Sequence, residues 1–301
     1  MDRKVRSLGA VAVAALVATM VAMTAVLLAP SALHAQEGDP YTIETMNEYN
    51  GGLKALWMDI QVEQIEVLTL GEGRSSSRLH RQPFRWVPGD PRRGADGSNL
   101  TYLVDQAGIS GSGLAAAGIE ASIDHAMASW SSVPCFSGKV GIVKRRDGGA
   151  DPDIFDGLLG YGGFGDYRLA DIVHAGWMPP SFFDAVNGEG SAGTVLAFSV
   201  TFIYVGPDGK PADLNADGYL DTAANEIYYN QGFAWLLGSA GSGGGIDLET
   251  VALHELGHSL GIGHIGAPLE AVMNPVYSGV HRTLNPLDGA ALCSVWGTWP
   301  K

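Results

Sequence analysis

Cysteine is almost absent from this chain: 301 residues include only Cys135 and Cys293. Basic residues are also scarce, 18 Lys and Arg against 32 Asp and Glu, for a formal net charge of −14. So acidic a surface repels polyanions, which argues against nucleic acid and anionic membrane as partners and suits a soluble exported protein that binds cations. Beyond the first thirty residues no apolar run is long enough to span a bilayer.

The one long apolar run, residues 8 to 30, follows a basic start with Arg3, Lys4 and Arg6 and leads to Leu33-His34-Ala35-Gln36. This is the layout of a secretory signal over residues 1–35, cleaved after Ala35, and it makes the mature protein secreted and extracellular. The run is also long enough to cross a membrane, so an uncleaved N-terminal anchor is the alternative; once the signal is gone, no membrane contact is expected. In an oxidising compartment Cys135 and Cys293 should pair, against the alternative of two buried thiols.

The chemistry concentrates in His254-Glu255-Leu256-Gly257-His258-Ser259-Leu260-Gly261-Ile262-Gly263-His264, of the form HExxHxxGxxH. On a helix His254 and His258 project from one face, a natural pair of ligands for tetrahedral zinc. Glu255 lies about 100° around the helix, placed to act as general base on a water at the metal. Were the helix to continue, His264 would sit about 9 Å further along the axis than His258 and about 240° around it, facing away. Gly261 resolves this, because glycine accepts the left-handed backbone that ends a helix and turns the chain back.

Upstream, residues 60 to 70 alternate as a half-buried strand, and residues 71 to 78 are polar and flexible, a linker that a protease could cut. Residues 36–83 are either a propeptide or a permanent extension. They hold no cysteine, so latency through a thiolate on the metal is excluded for them, whereas a carboxylate such as Asp39 or Glu44 could serve. Residues 84–301 form the main domain. Strands are expected at 99–104, 138–143, 169–173, 194–205 and 226–229. An amphipathic helix carries Ile119, Ile123, Met127 and Trp130, the metal helix is capped by Asp247, and a last helix starts at Asn285-Pro286. The fold class is α+β: a mixed twisted sheet of about five strands with three main helices, the early one, the zinc helix and the C-terminal one.

A second cation site is suggested by Asp213, Asn215, Asp217 and Asp221, oxygen side chains at alternate positions around Gly218, as calcium loops are built. Ala224 stands where the EF-hand pattern has its bidentate Glu, and Glu226 comes two residues late; the alternative is an Asx-rich turn. His174, Asp171 and Asp184 are not assigned as a zinc site.

HELGHSLGIGH followed by Ala271-Val272-Met273-Asn274-Pro275-Val276-Tyr277 resembles the metzincin zinc peptidases, and most of all their secreted microbial matrixin branch. The resemblance implies that Met273 is the apolar floor of a Met-turn under the metal. It also implies that Pro275 and Tyr277 belong to the substrate-pocket segment, with Tyr277 lining the pocket for the residue after the scissile bond. Trp130-Ser131-Ser132-Val133 resembles the end of the family's first helix, and residues 284 to 297 its closing helix. An extended substrate is implied along an outer strand within residues 194 to 202. Ile265 replaces the Ser usual in animal matrixins, the run from His264 to Met273 is one residue longer, and the family's structural zinc pattern is not recognisable. Pro275 is not the tyrosine ligand of astacins.

The expected function is therefore zinc-dependent endopeptidase action on protein or peptide substrates by a monomer, with zinc as catalytic ion and calcium as a structural one. The alternative is a catalytically silent, calcium-stabilised binding or adhesion module on the same fold; the intact Glu255 argues against it.

Overall fold

The computed structural model describes residues 43–56, 58–71, 82–94, 97–162, 165–238 and 244–299, all within a compact unit that begins at Pro40. Its elements are α1 (Ile43–Ala55), β1 (Ile60–Thr69), β2 (Phe84–Arg85), β3 (Leu100–Val104), α2 (Ala116–Ser131), β4 (Ile142–Lys144), α3 (Phe155–Leu158), β5 (Ile172–Met178), α4 (Pro180–Asn187), β6 (Val195–Tyr204), β7 (Leu220–Asn230), β8 (Trp235–Leu236), β9 (Ile246–Asp247), α5 (Leu248–Ser259) and α6 (Pro286–Trp296). The expected secretory signal lies outside the described residues, and among the described ones no helix is long and apolar enough to cross a membrane.

The main sheet runs β1-β6-β7-β5-β3-β4, with β2 added to β7. The pairs β1–β6 and β6–β7 are antiparallel and the remaining pairs parallel. Every residue of β6 is buried, as expected of a strand covered on both faces. Its Leu196 joins a core built from Ile119, Ile123 and Trp130 of α2, Leu253 and Leu256 of α5 and Leu292 of α6. Its Phe198, Val200 and Phe202 join a second core with Tyr49 and Leu53 of α1, Phe155 of α3 and Phe182 and Phe183 of α4. Rings there meet edge to face, Phe183 on Phe198 at 5.3 Å and Tyr49 on Phe155 at 5.1 Å. Each such side chain stabilises by about 1.5 to 3 kcal/mol through burial.

The sheet is mixed and the fold α+β, with more elements than expected. Seven strands replace about five, because the N-terminal segment contributes β1 and β2 is added. The segment upstream of residue 84 packs on the same body: β1 pairs with β6 from Ile60↔Tyr204 to Thr69↔Val195, and α1 packs on the second core. β7 extends well beyond residues 226–229, its buried Asp221, Thr222, Asn225 and Glu226 disguising a strand. The additional helices α1, α3 and α4 contain paired glycines, four residues and eight residues respectively, too little pattern to read as helix. Cys135, just past α2, forms a disulfide with Cys293 of α6, tying those helices together with a Cα–Cα distance of 5.5 Å.

Candidate metal centre

Helix α5 starts at Asp247, whose carboxylate accepts from the Thr250 amide (2.9 Å) and hydroxyl (2.6 Å). Three tryptophans fix its backbone: indole N–H groups of Trp130, Trp86 and Trp296 donate to the carbonyls of Leu253, Ser259 and Leu260. On this helix His254 and His258 lie one turn apart and are 1% exposed. Each spends its Nδ1 hydrogen on a main-chain carbonyl, Val272 for His254 and Ile262 for His258, both at 2.7 Å. That fixes the tautomer, and the two Nε2 atoms meet 3.0 Å apart.

The helix ends because Gly261 takes φ +83°, a conformation a side chain would strain. The turned chain delivers His264, whose ring centroid lies 5.3 Å from that of His254 and 4.7 Å from that of His258. One ligand atom from each of the three imidazoles lies within 4.8 Å of the others. Beneath them, Met273 is fully buried against Gly257; a Cβ on Gly257 would meet its Sδ at 2.2 Å. Asp288 holds this floor, accepting from the amides of Val272 (2.9 Å) and Met273 (3.1 Å) while closing the capping box of α6 with Asn285. Sequence reasoning missed Gly257 and Asp288. The second was readable as the capping-box partner three residues after Asn285.

Burial lowers the pKa of His254 to about 4 and takes His258 well below the usual imidazole range, so both are neutral, the form that binds metal. Glu255 is fully buried and neither of its carboxylate oxygens has a hydrogen-bond partner. Burial, with a smaller push from the Glu66 carboxylate, raises its pKa well above the carboxylate range. An uncompensated buried carboxylate costs several kcal/mol. A cation beside it relieves that cost, and three neutral nitrogens converging on one point are a zinc donor set. The residues fit the metal.

Beside His254 a narrow pocket is lined by Leu68, Thr250, Val272, Val276, Tyr277 and His281. The Tyr277 hydroxyl accepts from the Asp247 amide at 3.0 Å, which joins the pocket wall to the start of the metal helix. Pro275 and Tyr277 also bond to β1: the Thr69 amide donates to the Pro275 carbonyl (3.0 Å) and the Tyr277 amide to the Thr69 carbonyl (2.8 Å). The strand expected to border the substrate, β6, is thus not an edge; β1 covers it. Glu66 of β1 places Oε2 3.3 Å from Nδ1 of His264. Nothing in the local sequence marked Glu66 for this position.

In the expected calcium loop the oxygen side chains have partners within the protein. Asp217 pairs with Arg85 and Asp221 with Arg92, while Asp213 accepts the amides of Asp217 and Gly218, both at 3.0 Å, and Asn215 donates to Asp217 at 2.8 Å. Two guanidinium groups supply the positive charge that the alternating oxygens attract. Asp39 lies outside the described residues, as does the side chain of Glu44. His174, Asp171 and Asp184 do not converge. His174 bonds the Tyr229 hydroxyl, Asp171 pairs with Arg93, and Asp184 accepts the Ala192 amide.

The family described as Matrixin matches residues 206–296. Karilysin of Tannerella forsythia is 46% identical over 56 residues, 19% of this chain and 12% of that protein. Matrix metalloproteinase-25 of Mus musculus is 41% identical over 56 residues, 19% of this chain and 9% of that protein. Human matrix metalloproteinase-19 is 34% identical over 73 residues, 24% of this chain and 14% of that protein. The matching stretch thus spans about an eighth or less of these relatives' length in most cases. Within that span the chain is similar to the matrixins, and the similarity coincides with the helix, turn and floor built above.

Proposed function

We propose that this protein is a secreted zinc-dependent endopeptidase, its mature chain freed by removal of residues 1–35. The observation that carries the reading is the convergence of His254, His258 and His264 beside the unpartnered, fully buried carboxylate of Glu255. These histidines would hold zinc, which when bound supplies a Lewis acid for the scissile carbonyl and makes a nearby water a better nucleophile. The chain's own groups do the rest. Glu255 takes a proton from the attacking water and passes it to the leaving amine. Val272 and Ile262 keep two imidazoles in the required tautomer, and Met273 seals the centre from below. The pocket between Thr250 and Tyr277 takes the side chain that follows the cut bond.

The test is a diverse peptide library incubated with zinc-loaded protein, with and without chelator, cut sites being mapped by mass spectrometry. Because β1 lies along the cleft, both the unaltered chain and a Leu68→Ala chain are used. Glu255→Gln, made in the Leu68→Ala chain, should keep one zinc per chain and lose at least about a hundredfold in hydrolysis. Full activity in that variant would refute the role given to Glu255.

A further inference from the structure

We propose that Asp105, Asp151 and Asp153 form a divalent-cation site, one that takes calcium and pins the long segment between β4 and β5 to the end of β3. The site shares no residue with the histidine centre or with the Asp213 to Asp221 loop, and it does not depend on the endopeptidase reading.

Three observations carry it. The first is convergence. One carboxylate oxygen from each of the three residues lies within 4.8 Å of the others, a separation open to oxygens that share one calcium ion at about 2.3 to 2.6 Å. They come from two places in the chain: Asp105 directly follows β3, whereas Asp151 and Asp153 belong to the segment that joins β4 to β5. The second is an orphaned ligand inside the fold. Asp153 is 2% exposed and its Oδ1 has no hydrogen-bond partner, a deficit that a cation relieves. Asp151 is exposed, so the group has a buried end and an open mouth through which an ion enters and keeps water ligands. The third is a missing countercharge. Elsewhere this chain meets buried aspartates with guanidinium groups: Asp217 pairs with Arg85, Asp90 and Asp221 with Arg92, Asp171 with Arg93 and Asp247 with Arg282. Asp105 and Asp153 have no such partner among the described residues, while the buried Asp156 and Glu226 add further negative charge beside Asp153.

The ligands are held in place by the protein itself. Asp105 accepts from the amides of Ala107 and Gly108, each at 2.9 Å, and Asp147 ties the same turn to the segment after β4 by accepting from the Gln106 amide at 2.9 Å. Each bonded carboxylate oxygen keeps a further lone pair for a metal. Gly165 packs so closely on Asp151 that a Cβ would lie 1.7 Å from the Asp151 carbonyl oxygen, and its amide donates to the Asp153 carbonyl at 3.2 Å. Glu226 of β7 anchors the next residues, accepting from the amides of Ile154 at 2.8 Å and Phe155 at 3.0 Å. Before an ion enters, burial and the hydrogen bond to Asp151 leave Asp153 protonated, and the ion takes the place of that proton. An all-carboxylate set suits a hard cation, and calcium accepts irregular oxygen geometry where magnesium demands a near-ideal octahedron.

The test titrates calcium into the full zinc-loaded chain, freed of calcium beforehand, by calorimetry and follows amide exchange. One calcium ion per chain should bind, and the amides of residues 105–108 and 151–158 should then exchange at least about tenfold more slowly. Asp151→Asn changes an exposed residue and leaves the core intact. It should weaken calcium binding at least about tenfold, as should Asp153→Asn, with zinc content unchanged in both. Asp213→Asn, in the loop expected from the sequence to hold calcium, should bind the ion as the unaltered chain does. Should Asp153→Asn lose its far-ultraviolet dichroism, it has unfolded, and Asp151→Asn decides alone. No binding at millimolar calcium, the upper range of extracellular calcium modules, overturns the proposal. Binding that survives Asp151→Asn undiminished, or that is lost in Asp213→Asn, overturns it as well.

Discussion

His254, His258 and His264 bring one ligand atom each within 4.8 Å of the others, and so do Asp105, Asp151 and Asp153. The two clusters settle their charge in opposite ways. Burial keeps His254 and His258 neutral, and a carbonyl on each Nδ1 leaves a lone pair aimed at the shared point. The aspartates sit among more acids. Burial raises Asp105 to about 6 despite amide donation from Ala107 and Gly108, and burial together with Asp151 and Glu226 keeps Asp153 protonated at neutral pH, its Oδ1 without a hydrogen-bond partner. Glu226 accepts from the Ile154 and Phe155 amides and the Tyr228 hydroxyl, yet is still raised to about 8 by burial. Convergence is common to both; what sets the histidine cluster apart is a set of neutral nitrogen donors over the apolar floor of Met273.

The sharpest way to separate them is His258→Ala. In the Leu68→Ala chain it should remove zinc, read by atomic emission, and lower hydrolysis by at least about a thousandfold. Asp151→Ala should leave the zinc of the histidine cluster in place; its loss would merge the two clusters into one linked unit. Next comes the floor. Gly257→Ala forces a methyl into Met273 and Trp130, and overpacking of this kind costs about 1 to 3 kcal/mol, measured as a lower urea midpoint. The smallest effect is expected at the acidic cluster. A carboxyl whose pKa is raised on folding stabilises fully below its unfolded value near 4 and loses that contribution as pH rises toward the folded value. Asp153→Asn, which needs no proton, should therefore match the unaltered protein near pH 4 and exceed it by about 1 to 2 kcal/mol at pH 8. A pH-independent difference would show that Asp153 is not held protonated.

How much of this was legible in the sequence follows from distance along the chain. The zinc ligands, Glu255 and the Gly261 turn lie within eleven residues, where helical geometry alone relates them. Met273, Pro275 and Tyr277 came from resemblance, and their positions under and beside the histidines depend on contacts such as that to Asp288, which local pattern only half reveals. In the Asp213 to Asp221 stretch, oxygens at alternate positions look the same in sequence whether a metal cation or a guanidinium meets them, and the ion-pair partners Arg85 and Arg92 lie about 130 residues away. β1 was recognised as a strand, yet its partner and its bulge are properties of long-range pairing, so Glu66 and Leu68 could not be placed over the cleft.

The indoles of Trp86, Trp130 and Trp296 each donate to a carbonyl at the metal helix or its end. All three are fully buried. With the chain's four other tryptophans replaced by phenylalanine, their emission becomes an optical gauge of this one helix: a red shift on chelation would report loosening at the metal site before the sheet gives way, with no label added.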